Sequence, residues 1–117
     1  MYIRHEIGKI GENIACKYLQ SIGYKIIEKN FESRQGEIDI IAIDKNEIVF
    51  IEVKTRTSKR YGTPIEAVNK NKQKHLMKTI KYYIYVKHLE NKFIRIDVIE
   101  IFLSKNKYKL NHVKQIV

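Results

Sequence analysis

Apolar residues near the N-terminus recur at helical spacing. Between residues 4 and 22 they lie three or four positions apart, which places them on one face of a helix: Ile7, Ile10, Ile14, Ala15, Tyr18 and Ile22. Gly23 follows directly and suits the position just after a helix end, where a left-handed backbone is common. The pattern predicts a first helix that ends near Gly23 and packs its apolar face against another element.

The next thirty residues read as three strands. They are rich in β-branched and apolar residues and cover residues 24–31 (YKIIEKNF), 36–43 (GEIDIIAI) and 47–55 (EIVFIEVKT). Only Asp44, Lys45 and Asn46 separate the second strand from the third, so these two form a tight hairpin. Because both are apolar on their two faces, they are expected inside a sheet that is covered on both sides.

The second half of the chain predicts a helix and one or two further strands. Thr63, Pro64 and Glu66 have the arrangement of an N-cap, a first-turn proline and a capping-box acid, and Asn69 offers a second cap before residues 70–86. Residues 93–103 (FIRIDVIEIFL) read as a strand, and 108–113 as a short one. The order α-β-β-β-α-β(-β) predicts one α/β domain over residues 1–117, a mixed central sheet flanked by helices.

Charged residues interrupt the two central strands at one end. Strict alternation puts Ile38 and Ile40 on one face of their strand and Glu37 and Asp39 on the other, and it puts Glu52 and Lys54 on one face of the next strand. A tight turn at Lys45 and Asn46 sets Asp39 opposite Glu52. Their Cβ atoms then lie roughly 5 Å apart, which is unfavourable for two ionised acids.

A divalent cation would relieve that repulsion. Mg²⁺, or Mn²⁺ in its place, suits oxygen ligands and keeps positions open for water and phosphate. Lys54 could then orient or help deprotonate a bound water and offset charge in a phosphoryl transition state. The competing interpretation is a structural salt-bridge cluster of Asp39, Glu52 and Lys54 at the end of the sheet.

Net charge favours a polyanionic partner. The chain carries +10 at pH 7 with an isoelectric point near 9.7. Residues 1–53 hold 7 Lys/Arg against 9 Asp/Glu, whereas residues 54–117 hold 16 against 4. A surface of this sign binds nucleic acid because neutralised phosphates release their counterions.

Other classes of protein find no support in the sequence. The single cysteine, Cys16, cannot form an internal disulfide, and no Cys/His cluster has zinc-ligand spacing. No long apolar run or signal-peptide pattern occurs, so neither export nor membrane association is expected. We expect a cytoplasmic protein.

At the residues of the two central strands, the sequence resembles the YraN-like family of small bacterial proteins. The matching segments are 36–42 (GEIDIIA) and 49–56 (VFIEVKTR), and the likeness extends from Gly8, Gly11 and Glu12 to residues 95–98 (RIDV). That family is similar in turn to archaeal-type Holliday junction resolvases and the restriction-endonuclease-like superfamily. The resemblance implies that fold, with an acid on the first helix joining the Asp and the Glu-x-Lys.

The resemblance assigns residues to a catalytic site. It implies Asp39, Glu52 and Glu12 as metal ligands and, with Lys54, as the catalytic residues. Glu12 lies at the margin of the apolar face of the first helix, where Gly8 and Gly11 allow close approach, although an ordinary exposed helical glutamate fits the position equally well. Basic residues beyond the site are candidates for phosphate contact: Arg56, Lys59 and Arg60 in a loop, and Lys70, Lys72 and Lys74 on the second helix.

Three functions remain open from the sequence. The first is a metal-dependent endonuclease acting on DNA, with branched or structured DNA favoured by the resolvase resemblance, which also implies a homodimer. The second is a non-catalytic nucleic-acid-binding module of the same fold. The third is a protein-interaction domain whose positive half docks an acidic partner.

Overall fold

The computed structural model describes residues 4–57 and 70–116. Its first helix, α1 (Arg4–Ser21), ends as the sequence predicts, one residue earlier than expected. Gly23 takes a left-handed backbone (φ 95°), and the amide of Tyr24 donates to the carbonyl of Leu19 at 2.9 Å. This hydrogen bond closes the last turn and satisfies a carbonyl that the helix leaves unpaired.

Five strands form one mixed sheet. They are β1 (Lys25–Ser33), β2 (Gly36–Asp44), β3 (Glu47–Arg56), β4 (Phe93–Ser104) and β5 (Lys107–Val113). Spatial order follows chain order, and every neighbouring pair is antiparallel except β3 and β4. Parallel neighbours need a crossover, and the second helix, α2 (Lys70–Val86), lies in it. The predicted α/β class, the order of elements and the optional last strand are confirmed.

Each face of the sheet is covered by one helix. On one face, α1 packs on a core of residues from β2, β3 and β4, and the largest of its fully buried members are Leu19, Ile40, Ile51, Ile99 and Ile101. On the other face, α2 packs on a second core that includes Ile38, Ile41, Phe50, Ile80 and Tyr83. This two-sided burial explains why β2 and β3 are apolar on both faces.

The strict alternation predicted for β2 is wrong at one position. Ile38 belongs to the core beneath α2, whereas Ile40 belongs to the core beneath α1, so the strand changes face at Asp39. On the adjacent β1, Asn30 lies between the paired residues Lys29 and Phe31 and has a left-handed backbone (φ 53°). Asn30 is one of the residue types that tolerate this conformation. The two strands are therefore irregular at the same level.

Several predictions fall outside the described residues. The capping residues Thr63, Pro64, Glu66 and Asn69 and the loop cations Lys59 and Arg60 are among them. Lys70 begins α2 as predicted, and its side chain is likewise outside the description. Across residues 4–57 and 70–116, no helix combines the length and the apolar character needed to cross a membrane.

Candidate functional site

The acids Asp39 and Glu52 meet where β2 and β3 separate. The hairpin has the predicted register as far as the pair Ile40 and Ile51, and the ladder stops there. Beyond it, the amide of Val53 donates to Oδ2 of Asp39 at 2.8 Å, a bond to a side chain where strand pairing would offer a carbonyl. The carboxyl group of Asp39 thus lies against β3. The carboxyl groups of Asp39 and Glu52 hydrogen-bond to each other, which requires a proton between them.

Glu52 holds that proton at neutral pH. Burial is the main cause that raises the pKa of its carboxyl group to about 8, and the neighbouring charge and hydrogen bond of Asp39 raise it further. Lys54 and Lys72 oppose the rise. Two acids that share one proton form a site that a divalent cation can occupy instead, because the metal supplies the positive charge that the pair lacks.

Lys54 stands beside this pair. Alternation along β3 places Glu52 and Lys54 on the side of the sheet that α2 covers, since Phe50 of the same strand contacts the core beneath α2. Lys54 is half-buried, and burial is the main cause that lowers its pKa, followed by contact with Lys72 of α2. The nearby acids act in the opposite direction. An amine with a lowered pKa can accept a proton more readily at neutral pH than an exposed lysine can.

Glu12 approaches from α1, on the other side of β3. Gly11 packs against Thr55 so closely that a Cβ at Gly11 would lie 1.7 Å from the Thr55 hydroxyl oxygen. Next to this contact, Glu12 lines a polar cleft of about 360 Å³ with Gly8, Val53 and Thr55 among its walls. Burial and then the charge of Asp39 raise the pKa of Glu12. Asp39 is therefore the acid that both Glu12 and Glu52 sense.

The structure assembles the predicted metal ligands in part. It brings Asp39 and Glu52 into contact, but within residues 4–57 and 70–116 no three His, Cys, Asp or Glu side chains are grouped closely enough to hold a metal ion. Glu12 thus does not join the other two acids as a third direct ligand in this conformation. Two carboxylates nevertheless fit Mg²⁺, which in many phosphoryl-transfer sites is held by one or two carboxylates, with water and substrate phosphate completing the shell.

The predicted phosphate-contacting residues have different surroundings. Arg56 is half-buried, and its Nε donates to Oε2 of Glu100 at 2.7 Å, so it forms an ion pair with an acid that is only 2% exposed. Lys72 is half-buried and contacts Lys54, whereas Lys74 is exposed. Glu100 was not recognised from the sequence. Its position as an acid within an apolar strand was the available signal.

A second polar network, also not recognised, lies at the opposite end of the sheet. The guanidinium of Arg95 donates to Asp97, Asp44 and Glu47, and His112 contacts Oδ2 of Asp97 at 2.7 Å. Burial by itself would raise the pKa of Asp97, but hydrogen bonds from His112 and Arg95 lower it below its usual value. This network joins β4 and β5 to the β2–β3 hairpin and accounts for charges inside an apolar strand.

Fold and site define a class: a mixed α/β protein with a pair of acids and a lysine where two central strands diverge. Comparison with known proteins places the chain more closely. The model of the family described as "Uncharacterised protein family UPF0102" matches residues 11–101. A UPF0102 protein of Caldanaerobacter subterraneus subsp. tengcongensis is 47% identical over 111 residues, which is 95% of this chain and 91% of the relative.

Relatives in Clostridium botulinum are similarly close. The UPF0102 protein of strain Kyoto is 54% identical over 104 residues, covering 88% of this chain and 85% of the relative. That of strain 657 is 49% identical over 116 residues, covering 97% and 94%. The chain belongs to family UPF0102, which confirms the resemblance to YraN-like proteins drawn from the sequence.

Proposed function

We propose that this protein is a metal-dependent phosphodiesterase that cuts DNA. The observation that carries the proposal is the buried contact between Asp39 and Glu52, with Lys54 beside it, at the end of two central strands. A pair of acids that must share a proton in the absence of a cation is costly to bury, and stability alone gives little reason to keep one. A site that binds a divalent cation gives such a reason.

Each residue has a role in this proposal. Asp39 and Glu52 would hold Mg²⁺ or Mn²⁺ together with the carbonyl of Val53, and the bound ion would supply Lewis acidity toward the phosphate. Lys54, whose pKa is lowered, orients the attacking water and takes up or donates a proton at its Nζ. Glu12 supports the site through Asp39, whose charge it senses.

The charge distribution supports a nucleic acid as the substrate. Residues 54–117 hold 16 Lys/Arg against 4 Asp/Glu, and this half of the chain begins at the site itself. The excess attracts phosphates without reading bases. The resemblance to junction resolvases favours branched DNA among possible substrates and a homodimer as the active form, since two strands must be cut.

A non-catalytic nucleic-acid-binding module is the second candidate. The observation that favours it is that Asp39 has protein partners already: it accepts the Val53 amide at 2.8 Å and hydrogen-bonds with Glu52. Acids that satisfy one another in this way can serve the fold alone. The two candidates differ in one measurable property, the binding of a divalent metal.

Metal titration separates the candidates. Calorimetric titration of Mg²⁺ or Mn²⁺ into the wild type, Asp39→Ala and Glu37→Ala tests the site, because Glu37 is an exposed acid on the same strand and serves as the matched control. The nuclease predicts a metal site that only Asp39→Ala abolishes, together with metal-dependent cleavage of a branched DNA. Salt-sensitive DNA binding that ignores metal and survives Asp39→Ala supports the module. Absence of DNA binding at moderate salt would favour an acidic protein partner.

A further inference from the structure

Two lysines from different elements meet at the candidate site. The side chain of Lys72, near the start of α2, forms a hydrogen bond with that of Lys54 on β3, and its charge acts on Glu52 as well. Lys72 is half-buried, whereas Lys74 and Lys78 of the same helix are exposed. Lys72 therefore differs from the other cations of α2, because it faces the site and they face solvent.

The contact between these lysines is electrostatically incomplete. Two ammonium groups repel at hydrogen-bond distance, and burial removes the water that would screen them. The acids nearby compensate only in part, since Asp39 and Glu52 share a proton and together carry a single negative charge at neutral pH. An anion held between the two amines would allow both to be protonated, and each would then donate a charge-assisted hydrogen bond to it.

We propose that Lys54 and Lys72 jointly bind one phosphate group, which makes Lys72 a second phosphate-binding residue of the site. The inference deepens the proposed function and rests on it for the identity of the anion, a phosphodiester of the strand to be cut. One non-bridging oxygen would face the two amines, on the side of the sheet covered by α2. Lysine binds phosphate as a point charge and reads no base, so this contact adds affinity and position without sequence preference.

The test uses inorganic phosphate as the probe. The full-length protein, with all lysines labelled at Cε and with a chelator present, is titrated with phosphate at constant ionic strength while the signal of Lys54 is followed by NMR. Lys72→Met keeps the apolar stem of the side chain, and Lys74→Met is the matched control two residues along the helix. We expect Lys72→Met to weaken phosphate binding at least tenfold, and Lys74→Met to change it less than twofold. Lys72→Arg, which restores the charge, should recover most of the affinity.

Each outcome bears on the inference separately from the nuclease assignment. If the wild type binds no phosphate near Lys54, or if Lys72→Met and Lys74→Met weaken binding equally, the shared site is refuted even when the protein cleaves DNA. If phosphate binding depends on Lys72 and no DNA is cut with Mg²⁺ present, the anion site stands and the nuclease proposal fails. A circular dichroism melt of each variant confirms that a lost signal reflects a lost contact in a folded protein.

Discussion

Replacing Glu52 by glutamine tests the buried acid pair directly. In the folded protein the Glu52 carboxyl group keeps its proton up to a pKa of about 8, whereas its ordinary value is 4.5. A protonated Glu52 and a glutamine are both neutral, and both can donate to Asp39. The substitution Glu52→Gln therefore preserves the contact seen below pH 8 and removes the titration.

The sign of the effect follows from the direction of the shift. A folded-state pKa above the unfolded value means that the native protein binds this proton more tightly. The stabilisation is complete below pH 4.5 and is lost as the pH rises through about 8. The gap between these two values corresponds to at most about 5 kcal/mol, and partial exposure of the carboxyl group reduces this to about 2 to 3 kcal/mol.

Urea denaturation at pH 5 and pH 9, with EDTA present to exclude metal, measures the difference. We expect wild type and Glu52→Gln to be nearly equal in stability at pH 5. At pH 9 the variant should be more stable by about 2 to 3 kcal/mol, which is a midpoint about 1 to 1.5 M higher in urea. Glu90→Gln, at an exposed position before β4, is the control for a change in overall charge. Equal offsets between wild type and Glu52→Gln at both pH values would refute the shared proton.

Three further predictions concern packing and the second polar network, and urea denaturation checks all of them. Gly11→Ala should cost at least about 2 kcal/mol because its Cβ would collide with Thr55, and an unchanged midpoint would contradict the close contact of α1 with β3. Gly8→Ala should be neutral or stabilising by up to about 1 kcal/mol, since nothing lies within 4 Å of the added Cβ and alanine favours a helix; marked destabilisation would show that the space is filled. Asp97→Asn should cost about 3 kcal/mol at pH 7 by leaving buried Arg95 and His112 poorly paired. The cost should shrink as the pH falls below 3.8, because an acid with a lowered pKa loses its stabilising effect when it is protonated; a cost that stays constant down to pH 2 would count against this role of Asp97.

Local patterns carried most of the fold. Helical spacing in residues 4–22 and the glycine at 23 predict α1 and its end, because a helix and its cap depend on residues only a few positions apart. The short polar segment at Lys45 and Asn46 likewise sets the register of β2 and β3 and the approach of Asp39 to Glu52. These interactions are close in sequence, so their geometry can be predicted from one segment at a time.

Other features depend on residues that are distant in sequence. The pairing of Arg56 with Glu100, the contact of Lys72 with Lys54 and the position of Glu12 require knowledge of which strands become neighbours and how each helix lies on the sheet. The irregularity at Asp39 depends in addition on Asn30 of the adjacent strand, whose left-handed backbone no periodicity indicates.

The sequence by itself determined the family, the order of elements and the residue types available at the sheet end, because periodicity, turns and motifs are written in consecutive residues. Only the tertiary structure decided which charges share a site. A charged side chain is stabilised by whatever partner packing brings within a few ångströms, and for β3, β4 and α2 that partner is chosen by the parallel crossover of the sheet.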